Sequence, residues 1–367
     1  MIRVRSTLAL LLALSLASSA CGDKATSTGD AKGESGDNKK DGKDNKSAAP
    51  KGSAAASAPV SATASAPAKP ADAPATGAGS DALAHLPASC DVAVALDLAK
   101  VAKHPAVAAE IVPRLEAMLK TENPKDDSFK RMQGFMTDTG LTLSSLKSVG
   151  VCARMEGGGE PKVLALLGGD FKPDTFVTAL EKHKKPGKET TLSEIDGIKV
   201  TSDGKMFLGQ FSDGVLAGAE SVDTFKTAIK PGDNASKFMI DRSKEVSLYL
   251  SKNLIKTQFI KKGNALFEEL DEAYGSVDLT TGKIMLTLKT PSAESAKKVD
   301  SYFIVGKDAF LKDGKVPAQF GAVDAVKSMT TKVDGSNVVV ELAFPAASIT
   351  DAVKFLGAQL EAEKGKL

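Results

Sequence analysis

Hydrophobic and polar positions alternate at period two over residues 91–98. Val92, Val94, Leu96 and Leu98 fall on one side there, which predicts a half-buried strand. The period then lengthens. Residues 107–119 read as a helix bent near Pro113, and over residues 128–137 Phe129, Met132, Phe135 and Met136 share one helical stripe of the kind that packs into a core. Residues 148–155 and 162–167 read as strands joined by a hairpin through Gly157, Gly158 and Gly159. That glycine run is not a dinucleotide loop: Lys162 stands where the third glycine belongs, and the run joins two strands instead of opening a helix.

A helix over 173–184, strands over 197–201, 205–211 and 215–218 with a turn at Asp213-Gly214, and a helix over 222–229 complete a first unit. After Lys230-Pro231-Gly232-Asp233 the pattern begins again. It predicts a strand over 245–250, helical segments to 274, and a hairpin of 276–279 and 283–289 across Thr281-Gly282. A helix over 292–310, a hairpin of 329–333 and 337–344 across Asp334-Gly335, and a last helix from Ser348 follow. Both halves read strand, helices, hairpin, helix, hairpin, helix. The expectation is an internal duplication of that unit, over 81–232 and 233–367. Hairpins between helices imply an α+β fold, antiparallel sheet with helices packed on one face, rather than repeated parallel units. Two such halves make either one continuous sheet or two lobes with a cleft.

Composition changes the picture at the other end of the chain. Residues 22–80 carry Val60 as their only large aliphatic and no aromatic, so they cannot bury enough apolar surface to offset the entropy of ordering. They read as a disordered tether, Lys/Asp/Gly-rich and then Ala/Pro/Ser-rich, with an r.m.s. span of about 45 Å. Asp37, Asp41 and Gly42 echo a calcium loop, but Lys39 and Ala48 occupy ligand positions, and a solvated charge run is the plainer reading. Residues 1–20 have a basic start at Arg3 and Arg5, an apolar stretch from Leu8 to Ala17, and the small residues Ser18, Ser19 and Ala20. That is a signal peptide, too short in its apolar part to span a bilayer. Its removal takes the 48 Lys+Arg to 46, level with the 46 Asp+Glu. A neutral chain with no Trp and three Tyr is a poor candidate for nucleic acid, which demands basic surplus and stacking platforms.

Leu16-Ala17-Ser18-Ser19-Ala20-Cys21 resembles a bacterial lipobox, departing from it in placing Ser18 where a Leu is usual. The resemblance implies a diacylglyceride on Cys21. Two acyl chains give stable membrane attachment without a basic patch. Gly22 directly after the cysteine, with Asp23 one place later, implies the outer rather than the inner membrane of the cell envelope. Together with Leu86-Pro87-Ala88-Ser89-Cys90-Asp91-Val92, the leader and spacer resemble envelope lipoproteins of myxobacterial type.

Candidate chemistry is sparse. His85 reads as the end of the tether, His104 precedes a proline, and His183 lies in a solvated basic helix end; no pair has metal-ligand spacing. Serine-hydrolase and P-loop signatures are lacking. Glu268, Glu269, Asp271 and Glu272 crowd one predicted helix, whereas acid/base catalysis needs carboxylates in contrasting environments. Cys90 and Cys152 form an even pair once Cys21 is lipidated. They either bridge, or stay free because strand parity points Cys152 with Gly150 and Arg154, unless the strand starts after Cys90. The expectation is a non-enzymatic, lipid-anchored envelope protein without cofactor, metal or catalytic residues, binding an envelope protein or serving structurally. The alternative is a carrier of an apolar ligand lined by residues such as Met285, Leu286 and Leu288.

Overall fold

The computed structural model describes residues 81–120, 127–155, 161–172, 174–187, 189–259, 265–313 and 319–364. Cys21, the leader and the tether lie outside them, as does the glycine turn at 157–159.

The strands are β1 (Val92–Asp97), β2 (Leu146–Arg154), β3 (Lys162–Gly169), β4 (Thr191–Ile195), β5 (Ile198–Ser202) and β6 (Phe207–Gln210). They continue as β7 (Leu216–Ala219), β8 (Val246–Leu250), β9 (Glu272–Asp278), β10 (Lys283–Lys289), β11 (Thr330–Asp334) and β12 (Asn337–Ala343). All twelve join in one open sheet in the order β11-β12-β10-β9-β8-β1-β2-β3-β7-β6-β5-β4. Every neighbouring pair is antiparallel. With helices packed on this sheet, the α+β class holds, and of the two arrangements left open by the sequence the continuous sheet is the one present. Outward from the centre the order is β1-β2-β3-β7-β6 on one side and β8-β9-β10-β12-β11 on the other, strand for strand alike. The β4–β5 hairpin, turning at Asp196-Gly197, is an addition to the first side. The sequence reading missed β4, whose residues are exposed except Ile195 and so lack a hydrophobic alternation.

The face assigned to β1 is reversed. Ala93 and Ala95 are buried, at 0% and 4% exposure, while Val92, Val94 and Leu96 are only half-buried. The reason is close packing above the alanines, where Leu83 and Leu86 of the incoming segment lie in one core with Cys152, Leu164, Leu166, Val200 and Phe225. Leu98 leaves the strand altogether, because the Asp97 side chain accepts the Lys100 amide and caps a helix, Leu98–Lys103. Two more short helices follow, Pro105–Glu110 and Val112–Lys120, in place of one bent helix.

The second core contains Ile255, Leu270, Ala273, Leu288, Val338 and Val340 beneath Ala296 and Val299 of the helix Ala293–Asp313. Strand pairing puts it on the opposite side of the sheet. Ala93 faces Tyr249, a first-core residue, whereas the next residue, Leu250, faces Ala273 of the second. Each half therefore fills its main core on one face, and the two halves use different faces. Strand β9 begins at Glu272 rather than 276, so Glu268 stays on the short helix Ala265–Glu268 while Asp271 and Glu272 are off it.

Candidate functional site

The residues singled out by sequence are scattered. Cys90 and Cys152 are joined in a disulfide, with Cα atoms 5.3 Å apart. β1 starts at Val92, two residues after Cys90, which removes the parity conflict. Cys152 lies opposite Ala93, and both cysteines are buried in the first core. Leu288 is buried and Leu286 half-buried in the second core, but Met285 points to the other side and is exposed.

His85 is not tether. Asp81 caps a 3-10 turn, Ala82–His85, by accepting the Leu83 amide. The turn packs its imidazole to 2% exposure against Phe211, with ring centroids 4.7 Å apart. Sequence could not show this, because the turn is too short to carry a period. His183 is half-buried and 2.7 Å from Asp138, which also accepts from Lys182.

A cleft of about 340 Å³ lies where β1, β2 and β8 end. It is lined by the small residues Ala95, Ser148 and Ser247 and by charged side chains that include Asp81, Arg242 and Lys244. The charges around it are engaged with one another. Arg242 pairs with Asp81, Lys244 with Asp278 at 2.8 Å, Lys147 with Asp170 at 2.6 Å, and Lys100 with Asp97 at 2.9 Å. Lys244 and the Thr281 amide hold the Asp278 carboxyl down to about 2. Asp241 is likewise lowered, first by its bond from the Ser243 hydroxyl. Carboxylates held ionised accept protons poorly and donate none near neutral pH.

At the opposite end of the central strands Asp91, also buried, accepts from the Met155 amide at 2.7 Å, the Ser251 hydroxyl at 2.6 Å and Asn253 at 3.2 Å. Asp91, Met155 and Ser251 stand just beyond the ends of β1, β2 and β8, Asn253 is on the short helix Lys252–Leu254, and the carboxylate ties them together through hydrogen bonds. Nearby, burial and then the Glu272 charge push the Tyr249 hydroxyl up to about 12.

Exposed apolar side chains gather on the helices of the second half. Phe320 and Phe355 meet with their rings tilted and centroids 5.5 Å apart, and both are more than a third exposed, as is Leu356. Phe320 holds φ +53, a left-handed conformation that costs a bulky residue roughly 1–2 kcal/mol. Tyr302, Ile304 and Val305 on the helix Ala293–Asp313 are exposed as well. A second apolar surface is the half-buried aliphatic side of the central strands, Val92, Val94, Leu96, Val149, Val151 and Leu248. Among the described residues no helix is long and apolar enough to cross a membrane.

No family model matches the chain, and no curated protein matches it. Among solved structures, crystal form I of TP0453 is similar over 76% of this chain and 99% of its own, at 12% identity and a TM-score of 0.40. Crystal form III of the same protein is similar over 75% of this chain and 98% of its own, at 13% identity and a TM-score of 0.39.

Proposed function

We propose that the chain is a lipid-anchored protein of the cell envelope whose body acts by binding a protein partner and not by catalysis. Cys21 carries the lipid, residues 22–80 form the spacer, and the outer membrane is the site of attachment. The observation that carries the binding half of this reading is the coexistence of two buried hydrophobic cores with exposed aromatic and aliphatic side chains, Phe320, Phe355 and Leu356. Exposed apolar groups that adjoin one another, as Phe320 and Phe355 do, mark a docking surface when they form a contiguous patch. The ion pairs Arg242–Asp81 and Lys244–Asp278 at the cleft, with the Asp278 carboxyl held low, support the non-catalytic half.

Native mass spectrometry of the full chain extracted in detergent tests the anchor: the expected result is an acyl mass on the Cys21 peptide, and a free thiol there overturns it. A photoreactive amino acid at Phe355, compared with one at Lys332, tests the surface in intact cells. A discrete protein adduct at position 355 alone is expected; equal labelling at both positions overturns the docking reading.

The second reading is a carrier of an apolar ligand. It is favoured by one specific feature, the half-buried aliphatic side of β1, β2 and β8. A stoichiometric lipid that survives extraction and is lost on replacing Val94 and Leu248 by Asn would establish it over the first.

A further inference from the structure

The imidazole of His85 sits between two acceptors. Nδ1 is 2.6 Å from the Ala228 carbonyl and Nε2 is 2.7 Å from an Asp213 carboxylate oxygen. A carbonyl oxygen only accepts, so Nδ1 carries a hydrogen. Asp213 is part-exposed, on the turn after Phe211, and its carboxylate also accepts from the Val215 amide at 3.2 Å. Burial would raise the Asp213 carboxyl, but the bond and charge of His85 outweigh it and leave it lowered and ionised. An ionised carboxylate only accepts, so the geometry calls for a hydrogen on Nε2 too, the arrangement of an imidazolium.

This cation joins three parts of the chain: the entering segment Asp81–Leu86, the Asp213 turn, and the end of the helix Val222–Ile229 through Ala228. The charges that act on the ring are those of Asp213 and Asp81. Asp81, on its own segment, is held by Arg242. Lys226 of the facing helix pairs with Asp196, and Lys237 of the next turn donates to the Ala88 carbonyl. Loss of one ring proton leaves a lone pair aimed at either the Ala228 carbonyl or the Asp213 carboxylate, and both arrangements are repulsive. Parallel fastenings of the segment, the Ala82 amide to Ser148, the Gly232 amide to the Ala84 carbonyl and Asn234 to the Leu86 carbonyl, do not involve a titrating group.

We infer that His85 is a proton-dependent clamp that fastens the first folded segment of the body onto the Asp213 turn and the Val222–Ile229 helix, and that losing its proton loosens residues 82–86 while the Cys90–Cys152 bridge holds the chain beyond them. The inference stands whether or not the chain is lipid-anchored. Burial alone would lower the His85 pKa; the Asp213 bond, the Ala228 carbonyl and the Asp213 and Asp81 charges outweigh it, and the net direction is up. A raised histidine contributes its stabilisation fully below the ordinary value of about 6.5 and loses it as pH rises through the folded pKa. The clamp is closed on the acid side and opens on the alkaline side.

The test is long-range ¹H–¹⁵N NMR of the histidine rings in the full chain, combined with amide exchange of residues 82–86 corrected for intrinsic pH dependence. Both His85 nitrogens are expected to be protonated at pH 7, and protection of these amides is expected to fall at least tenfold across the ring's own titration. Asp213→Asn keeps an acceptor at an exposed position and removes the charge; it should move the titration and the loss of protection together to lower pH. A neutral His85 ring at pH 7 overturns the inference. So does protection that ignores the titration, or an Asp213→Asn variant in which neither midpoint moves.

Discussion

Val94 lies directly opposite Leu248 at the middle of the ladder that joins the two halves. Two residues away on either side, Val92 faces Leu250 and Leu96 faces Val246, so equal steps along β1 and β8 in opposite directions keep meeting. β1 and β8 also hold equivalent places in the outward orders of their halves, and Asp97 and Ser251 both cap a helix directly after their strand. The joint thus has a self-complementary register at these two strands, although the two halves fill their main cores on opposite faces of the sheet. The joint also uses the valine and leucine side of β1 without burying it fully.

That asymmetry predicts opposite tolerances at adjacent positions. Ala93→Leu adds three heavy atoms where exposure is 0%, and the expected cost of overpacking is about 1–3 kcal/mol. Val94→Thr polarises a half-buried position and should cost about 1 kcal/mol or less. Urea denaturation midpoints of the two variants provide the comparison; the reverse order would mean that the sides of β1 are misassigned.

The Cys90–Cys152 bridge closes a loop with a sequence separation of 62. In the chain-entropy picture a loop of that length contributes roughly 4 kcal/mol by restricting the unfolded chain. Reduction, or a Cys90→Ala/Cys152→Ala pair, is therefore expected to lower the denaturation midpoint substantially while leaving the folded far-UV spectrum unchanged. A non-reducing peptide map should yield one crosslinked peptide containing both residues.

The fold was largely legible because its strands are marked by local signals. Asp213-Gly214, Thr281-Gly282 and Asp334-Gly335 each stand at the turn of a hairpin found in the sheet. What escaped the sequence depends on contacts distant along the chain. The alternation in β1 shows that one side is more apolar; it cannot show that Leu86 and Leu164 leave room only for alanines on the other. His85 owes its burial to Phe211 and its partners to Asp213 and Ala228, all more than 120 residues away. The charged cleft is equally nonlocal, since Asp81, Ser148 and Arg242 meet only when β1, β2 and β8 align. The apolar cluster at Phe320 and Phe355 had no signal because the aromatics lie far apart in sequence and on no common period.

Glu181 gathers the side of the first half that holds the helix Phe176–Lys182. Its carboxylate accepts from Lys184 at 2.8 Å, from the Thr201 hydroxyl at 2.5 Å and from Thr190 at 2.7 Å. Lys184 first, then Thr201, hold it down to about 2. A depressed carboxyl contributes stability above its unfolded value, near 4.5, and loses it as pH falls toward the folded one. Between about pH 4.5 and 2 the native chain should therefore lose stability more steeply than Glu181→Gln. Parallel acid curves for the two proteins would show the site to be uncoupled from the fold.

Two glycines are required for different reasons, and substitution separates them. Gly275 in β9 faces Leu248 on one side and Leu286 on the other, beside the central joint. A Cβ there would come within 2.6 Å of the Met285 carbonyl oxygen, a backbone atom that cannot turn away. Gly275→Ala must displace β10, and about 1–3 kcal/mol is the expected cost. Gly335, in the β11–β12 turn, has open space around it and is restricted only by its φ of +59. Asn adopts that left-handed conformation more readily than other side chains, so Gly335→Asn should cost less than about 1 kcal/mol while Gly335→Val costs more. Thermal denaturation of the three variants distinguishes a steric requirement from a conformational one. If Gly275→Ala were as mild as Gly335→Asn, the close approach of β9 and β10 at Met285 would have to be wrong.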